Sequence, residues 1–294
     1  MLKRISLLPL CAALGLMGTA TPALSQALTP YVLPLDYDLM AEQGLFLASE
    51  AQQLAEFRQF NQALALAQLA AQLAPDNGQV LALLGSLYLQ TGEVEQAIPL
   101  LEQADTILSD EPRVLFALGS AYLQQQDYRR AASYLEQGLA LDADNANALF
   151  DLGNVYFLLD RYGDAIASYE KSVAVEPEFW PSVNNIGLVL YEQGQADQAI
   201  QHWRDSLELA PEEPEPKLAI AVALYNRENC NIPAVRTTTR ACQEAISLGV
   251  EALEQDSRYS EIDFLQFNLW GDRLIDSTQR FFEVPDIRQL LAEL

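Results

Sequence analysis

The chain has 294 residues, half of them apolar, which is enough to bury a sizeable core. It carries 17 basic against 41 acidic side chains and a formal charge of −24 at pH 7. Because such a surface repels phosphate groups, the composition argues against nucleic acid and anionic membrane surfaces as partners.

The N-terminus has the pattern of a secretory signal peptide, which we predict over residues 1–27. Lys3 and Arg4 precede an apolar run, and Ser25 and Ala27 fit the small residues before a cleavage site. Cleavage after Ala27 is expected, with cleavage after Ser25 as the alternative. Retention as an uncleaved anchor stays open, although the run is shorter than the roughly 17–25 residues of a spanning helix. We expect export to the periplasm, with the thylakoid lumen or the outside of the cell as alternatives, and no membrane span after cleavage.

Small residues then recur at a fixed step along most of the remaining chain. The glycines in phase are Gly85, Gly119, Gly153 and Gly187, and the alanines in phase are Ala63, Ala97, Ala131, Ala165 and Ala199. A leucine or isoleucine stands directly before each glycine, and a tyrosine follows the first three glycines at the same distance. Five alanines in phase are very hard to obtain by chance, so the pattern indicates an internal repeat.

This pattern resembles the tetratricopeptide repeat, a helix–turn–helix unit of 34 residues. The resemblance implies an all-α fold, a right-handed superhelical solenoid of stacked units with a C-terminal capping helix. Small residues would then stand where the two helices of one unit nearly touch. The predicted segments are a lead-in at 28–43, units at 44–77, 78–111, 112–145, 146–179, 180–213 and 214–259, and capping helices at 260–294.

The sixth unit contains an insertion of about 12 residues, because its phased alanine is Ala245 instead of residue 233. Cys230 and Cys242 bracket most of the insertion, and Cys11 leaves with the signal peptide. In an oxidising compartment such a pair favours a disulfide, worth about 3 kcal/mol in the chain-entropy model. Two free structural thiols are the alternative.

The segment after Ser260 is amphipathic and is expected to form a helix, with a second helix starting at Pro285. A solenoid needs a terminal helix to cover its last apolar face, and we assign this segment that role. Docking of a partner by Phe281 and Phe282 is the alternative. The segment also resembles the tails of exported tetratricopeptide proteins from cyanobacteria.

No catalytic pattern is present, so we expect neither an enzyme nor a bound cofactor. His202 is the one histidine, and no nucleophile elbow, zinc motif or phosphate-binding loop accompanies it. Many acidic residues stand at or near predicted helix N-termini, where negative charge is favourable. A carboxylate cluster that holds a divalent cation stays open as a lesser alternative.

In the family, the first helices of the units line a concave surface, and the resemblance implies that this surface binds a peptide or a helix of a partner protein. Helical spacing places one stripe of residues there: Phe116, Ser120, Leu123, Asn147, Phe150, Asn154, Phe157, Asn184, Asn185, Leu188, Tyr191 and Tyr225. The amides fit a peptide backbone, because each one donates and accepts. The family's clamp of lysines and arginines for a C-terminal carboxylate is not carried over, because its slots hold Phe116, Phe150 and Asn184. Packing between neighbouring units is the alternative role for these side chains.

Three functions compete. The first is an exported scaffold that binds a segment of another protein during assembly of an envelope or thylakoid complex. The second is an acidic accessory protein that binds or delivers a metal, and the third is a structural solenoid that self-assembles. The sequence leaves the partner and the oligomeric state unassigned.

Overall fold

The helices of the chain follow one another as antiparallel pairs, as the repeat predicts. A computed structural model describes residues 36–230 and 239–294, and within these ranges all regular structure is helical. The predicted signal peptide lies outside these ranges. The first six helices are α1 Tyr37–Glu56, α2 Phe60–Leu73, α3 Gly78–Gln90, α4 Val94–Leu108, α5 Pro112–Gln124 and α6 Tyr128–Leu141. The next six are α7 Ala146–Leu158, α8 Tyr162–Val175, α9 Trp180–Glu192, α10 Ala196–Leu209, α11 Pro214–Arg227 and α12 Arg240–Gln255. The capping segment comprises the 3₁₀ helix Ser257–Ser260 and helices α13 Ile262–Phe267, α14 Asp272–Phe282 and α15 Pro285–Leu291.

Polar side chains begin several of these helices. Asn77 Oδ1 accepts hydrogen bonds from the backbone amides of Gln79 and Val80 at the start of α3. Asp127 does the same for a backbone amide of α6, and Asn145 for one of α7. Each such cap is worth about 1 kcal/mol. Part of the polar content of the turns is therefore explained by capping of helix N-termini.

The turn inside each of the first five units closes with a residue in the left-handed region, and this position follows the repeat step. It is Gly92 and Gly194 in two units, each with φ near 81°. Gln126 and Asp160 occupy it in two others, at φ of 64° and 58°. Because non-glycine residues pay about 1–2 kcal/mol there, the packing of the helix pair imposes the turn.

The phased glycines accommodate side chains of the second helices. A Cβ added to Gly119 would lie 2.5 Å from Leu135 Cγ, and one added to Gly187 would lie 2.5 Å from Trp203 Nε1. The phased alanines of the second helices are fully buried. The predicted close contact is therefore present, but the atom that needs the space belongs to a large side chain and not to the opposing backbone.

The first unit starts earlier than the predicted boundary at residue 44. Helix α1 begins at Tyr37, inside the segment assigned to the lead-in, and is therefore longer than the other first helices. Gly44 and Ala51 of α1 are buried against α2. The looser sequence of this unit thus does not change its helix-pair architecture.

Cys230 and Cys242 are fully buried, with their sulfur atoms in bonding contact and their Cα atoms 5.7 Å apart. This Cα separation is typical of disulfides. Cys230 follows α11 and Cys242 lies in the first turn of α12, so the pair joins the two helices of the sixth unit across the insertion.

The capping segment is helical and covers the last unit, as predicted. Phe281 is fully buried, lies against Gly249 of α12 and packs edge-on to Tyr225. One difference is that the expected first helix is split into α13 and α14, with Leu269 at a φ of 65° between them. The break lets α14 turn away from the end of the array and lie across α9 and α11.

Within the described ranges, no helix is both long enough and apolar enough to cross a bilayer.

Candidate functional site

The first helices of the six units form one surface, which we call the inner wall. Neighbouring first helices from α3 to α9 contact one another directly, whereas consecutive second helices make fewer mutual contacts. An array in which one set of helices is closer together curves towards that set. The inner wall is therefore formed by α1, α3, α5, α7, α9 and α11.

The capping segment covers the C-terminal part of the inner wall. Glu192, at the end of α9, accepts hydrogen bonds of 3.0 Å from the backbone amides of Arg273 and Leu274 and so caps α14. The Tyr191 hydroxyl donates to Ser277 Oγ at 3.0 Å. The wall at α9 and α11 is thus occupied by a helix of the same chain.

A buried carboxyl joins this covered part of the wall to the capping segment. Trp270 Nε1 donates to Glu215 Oε1 at 3.0 Å, and Glu215 is only 7% exposed. Burial raises the pKa of Glu215 to about 7, although hydrogen bonds from Trp270 and Asn184 oppose the shift. Near neutral pH this carboxyl is therefore divided between its protonated and ionised forms.

The asparagines of the stripe form an internal hydrogen-bond network. Asn154 Oδ1 accepts from the Tyr169 hydroxyl at 2.8 Å and from Asn185 Nδ2 at 3.0 Å. Asn185 Oδ1 accepts from Asn184 Nδ2 at 3.1 Å. Asn184 Oδ1 has no hydrogen-bond partner within the described part of the chain. Apart from this oxygen, the amides are hydrogen-bonded within a buried network between α7, α8 and α9 and are not displayed at an open surface.

The predicted stripe therefore divides into two groups. Asn147 is exposed, and Phe116, Ser120, Leu123 and Phe150 are half-buried. The buried group comprises Asn154, Phe157, Asn184, Asn185, Leu188, Tyr191 and Tyr225. The amide network holds the three buried asparagines, and α14 contacts Tyr191 and Tyr225. Phe157 packs on the ring of Tyr162 in α8. The picture of a wall open along its whole length is corrected accordingly.

The two phenylalanines of the half-buried group also pack within the array. Phe150 lies edge-on to Phe179, with ring centroids 5.4 Å apart, and also contacts the ring of Tyr169. Phe116 fills the space beside Gly138 of α6. Their side chains therefore contribute to packing between helices, which was the alternative role considered for them.

The open part of the inner wall lies at the N-terminal end of the array, and we call it the open groove. Its larger cavity encloses about 480 Å³ between α1, α3 and α5. The lining residues are Leu45, Ala48, Ser49, Gln52, Gln79, Val80, Ala82, Leu83, Ser86, Leu108, Glu111, Arg113 and Val114. Its only charged side chains, Glu111 and Arg113, form an ion pair of 3.1 Å. The lining is thus mainly apolar, and Gln52 and Gln79 supply its two side-chain amides.

A second cavity continues the open groove towards α7. It encloses about 300 Å³ and shares Ser86 with the first cavity. Its other lining residues are Leu89, Gln90, Ala117, Ser120, Leu123, Gln124 and Asp151. Ser120 Oγ donates to Asp151 Oδ2 at 2.6 Å, and burial raises the pKa of Asp151.

Sequence reasoning missed the contribution of the first two units to the wall. Gln79 and Ser86 occupy the same repeat positions as Arg113 and Ser120, and Gln52 occupies that of Ser86. Extending the stripe back by one and two repeat steps identifies these residues. The repeat period was therefore a sufficient signal for this part of the groove.

No group of three or more histidine, cysteine or acidic side chains lies close enough to hold a metal ion within residues 36–230 and 239–294. The acidic side chains of these ranges do not converge on one point. This geometry gives no support to the metal-delivery hypothesis.

Comparison with known proteins gives a consistent result. Three sequence profiles described as tetratricopeptide repeat match residues 54–121, 116–182 and 182–210, which together exceed half of the chain. No curated protein sequence matches significantly.

Several solved structures share the fold. YrrB, described as a TPR protein with an unusual peptide-binding site, aligns with a TM-score of 0.51 at 15% identity, over 62% of this chain and 96% of that one. TTC0263, a thermophilic TPR protein from Thermus thermophilus, has a TM-score of 0.51 at 21% identity, over 62% and 98%. MamA residues 41 to the end from Desulfovibrio magneticus RS-1 has a TM-score of 0.52 at 18% identity, over 58% and 96%. With the profile matches and the stacked helix pairs, these findings show that the chain belongs to the tetratricopeptide repeat family.

Proposed function

We propose that the chain is an exported, non-enzymatic scaffold whose open groove binds a peptide or helical segment of a partner protein. The observation that carries this proposal is a concave wall across α1, α3, α5 and α7 that no described part of the chain covers. A surface of this kind offers apolar contacts for side chains and amides for a peptide backbone. We further propose that the partner belongs to a complex of the cell envelope or the thylakoid.

The mode of binding is supported by the chain's own capping segment. Helix α14 lies on α9 and α11 with its apolar side chains turned inwards, and Glu192 caps its N-terminus. The inner wall is therefore a surface on which a helix can dock. Among proteins of similar fold, YrrB is described as having a peptide-binding site.

The open groove is tested by a matched pair of substitutions. Leu45 lies in the groove on α1 and is 42% exposed, whereas Leu69 lies on α2, outside its lining, and is 44% exposed. Leu45→Glu should abolish retention of the partner when the full chain is immobilised and presented with a native envelope fraction. Leu69→Glu, with the same chemistry and exposure, should retain the partner. Equal retention by both variants would show that the partner binds elsewhere.

Export is proposed from the N-terminal pattern, with the periplasm as the favoured compartment. The Cys230–Cys242 pair supports an oxidising compartment, because disulfides persist there and are rare in the cytosol. Expression of the full chain followed by N-terminal sequencing should give a mature start after Ala27 or after Ser25. A mature protein that keeps Met1 or Leu2 contradicts cleavage.

Self-association is a second candidate function, and the N-terminal edge favours it. Phe46 is 58% exposed and occupies the repeat position of Val80 and Val114, which are buried against the preceding unit. Phe46 thus presents an apolar face where a preceding unit would pack. Light scattering should show concentration-dependent dimers that Phe46→Glu abolishes, and a monodisperse monomer at high concentration excludes this function.

A further inference from the structure

We propose that the part of the open groove lined by α3, α5 and Asp151 of α7 is a pocket for a lysine or arginine side chain of the bound segment, with the Asp151 carboxylate as the counter-charge. This inference rests on the proposed peptide-binding function and narrows it to one class of partner. The ligand is thus an extended segment with a basic residue among apolar neighbours.

The other units show which residue types the fold accepts at the repeat position of Asp151. The slot of Asp151 is filled by Leu83, Ala117, Asn185 and Ala219 in the neighbouring units. All four are uncharged, and each packs in the same helix-pair architecture. The fold therefore does not need a carboxylate at this position.

The Asp151 carboxylate lacks a counter-charge among the residues that the structure describes. It is half-buried, its one hydrogen bond is from the Ser120 hydroxyl, and no described residue forms an ion pair with it. Removing a carboxylate from water without a cation is costly, and the raised pKa of Asp151 reflects that cost. A cation entering the cavity supplies the missing charge and an additional donor.

The cavity beside Asp151 suits a long basic side chain in both shape and polarity. Leu89 and Leu123 offer apolar surface for the methylene stem of a long basic side chain. Gln90 and Gln124 add amide oxygens that accept from an ammonium or guanidinium group. No basic side chain lines this cavity of about 300 Å³, so the pocket repels an acidic residue and accepts a basic one.

The net charge of the whole chain also favours a basic ligand. A net charge of −24 steers cationic segments towards the surface but does not choose a position on it. The position is set by Asp151, because the other acidic side chain of the open groove, Glu111, is paired with Arg113. General attraction and local recognition are therefore separable by experiment.

The experiment uses a library of capped octapeptides in which one position is fixed as lysine, arginine, norleucine or glutamate. The library is selected for binding to the immobilised full wild-type chain and to its Asp151→Asn variant. The asparagine keeps an acceptor for the Ser120 hydroxyl but loses the charge. Glu170→Gln on α8 is the matched control, because it removes one exposed carboxylate outside the groove.

The wild-type chain and Glu170→Gln should enrich lysine and arginine over norleucine by tenfold or more. Asp151→Asn should lose this preference and still bind the library through the rest of the groove. If every variant binds peptides but the basic preference survives in Asp151→Asn, the inference is overturned and the proposed function stands. If no variant binds any peptide, both are overturned.

Discussion

Glu215→Gln should change how the stability of the fold depends on pH. The Glu215 carboxyl is buried beside Trp270, and burial raises its pKa from an ordinary value of 4.5 to about 7. Between these values the folded chain keeps a proton that the unfolded chain has lost, so stability falls as pH rises. Below 4.5 both states are protonated, and above about 7 both are ionised. The loss is therefore confined to the window from pH 4.5 to about 7.

The size of the effect follows from the shift. One pKa unit corresponds to about 1.4 kcal/mol, so moving from 4.5 to about 7 costs the folded state about 3 kcal/mol at pH 8. Glutamine has the shape of a protonated carboxyl and accepts the Trp270 hydrogen bond, but it does not ionise. At pH 8 the variant should therefore be more stable than the wild-type chain by up to about 3 kcal/mol. At pH 4 the two should be equal.

Urea unfolding at several pH values between 4 and 8, followed by circular dichroism, measures the difference between the two chains. Subtracting the curves removes the contributions of other carboxyls whose pKa is raised, such as Asp151 and Glu192. Parallel curves across this range, with no gap opening as pH rises, refute the assignment of Glu215 as a buried, proton-binding group.

Three further predictions concern packing and covalent structure. Gly153→Leu should destabilise the fold by about 1–3 kcal/mol or more, because the new side chain overlaps the Tyr169 ring. Gly163→Ala is the control: its new methyl group meets open space and should change thermal stability by less than about 1 kcal/mol. Similar melting temperatures for the two variants would show that Gly153 is not tightly packed. Phe281→Ala should lower the free energy of unfolding in urea by about 3–5 kcal/mol and increase proteolysis of the capping segment, because Phe281 is fully buried. An unchanged urea midpoint would show that the segment is not needed to close the array. The mature chain, unfolded without a reductant, should contain no free thiol, and two titratable thiols would refute the Cys230–Cys242 bond. Reduction of the bond should lower the free energy of unfolding of the folded protein by about 3 kcal/mol.

The fold could be predicted from the sequence because the repeat fixes one residue type at one position many times. Gly119 and Ala131 stand in phase with their counterparts, and each is buried in the predicted helix pair. Predicting helix pairs from these positions needs only short-range geometry. The prediction also holds for the first unit, although Glu50 and Ala51 replace the leucine–glycine pair of the second, third and fourth units there.

The site was less predictable, because exposure depends on contacts between distant parts of the chain. Tyr191 follows helical spacing on the inner wall, but its hydroxyl is hydrogen-bonded to Ser277, 86 positions later in the chain. Asn154 has the chemistry of a peptide-binding amide, yet Tyr169 and Asn185 use its acceptor. Neither contact leaves a periodic signal, because each occurs once.

Mapping where the partner contacts the chain tests most directly whether the open groove is the binding site. A photo-crosslinking amino acid is placed at Leu45 or Leu123 in the open groove, and at Leu69 or Leu141, exposed leucines outside its lining, in the full chain in its native host. We expect the two groove positions to crosslink to the same partner protein and the other two positions to give no crosslink. Crosslinks to that protein from Leu69 and Leu141, with none from the groove, would contradict this expectation.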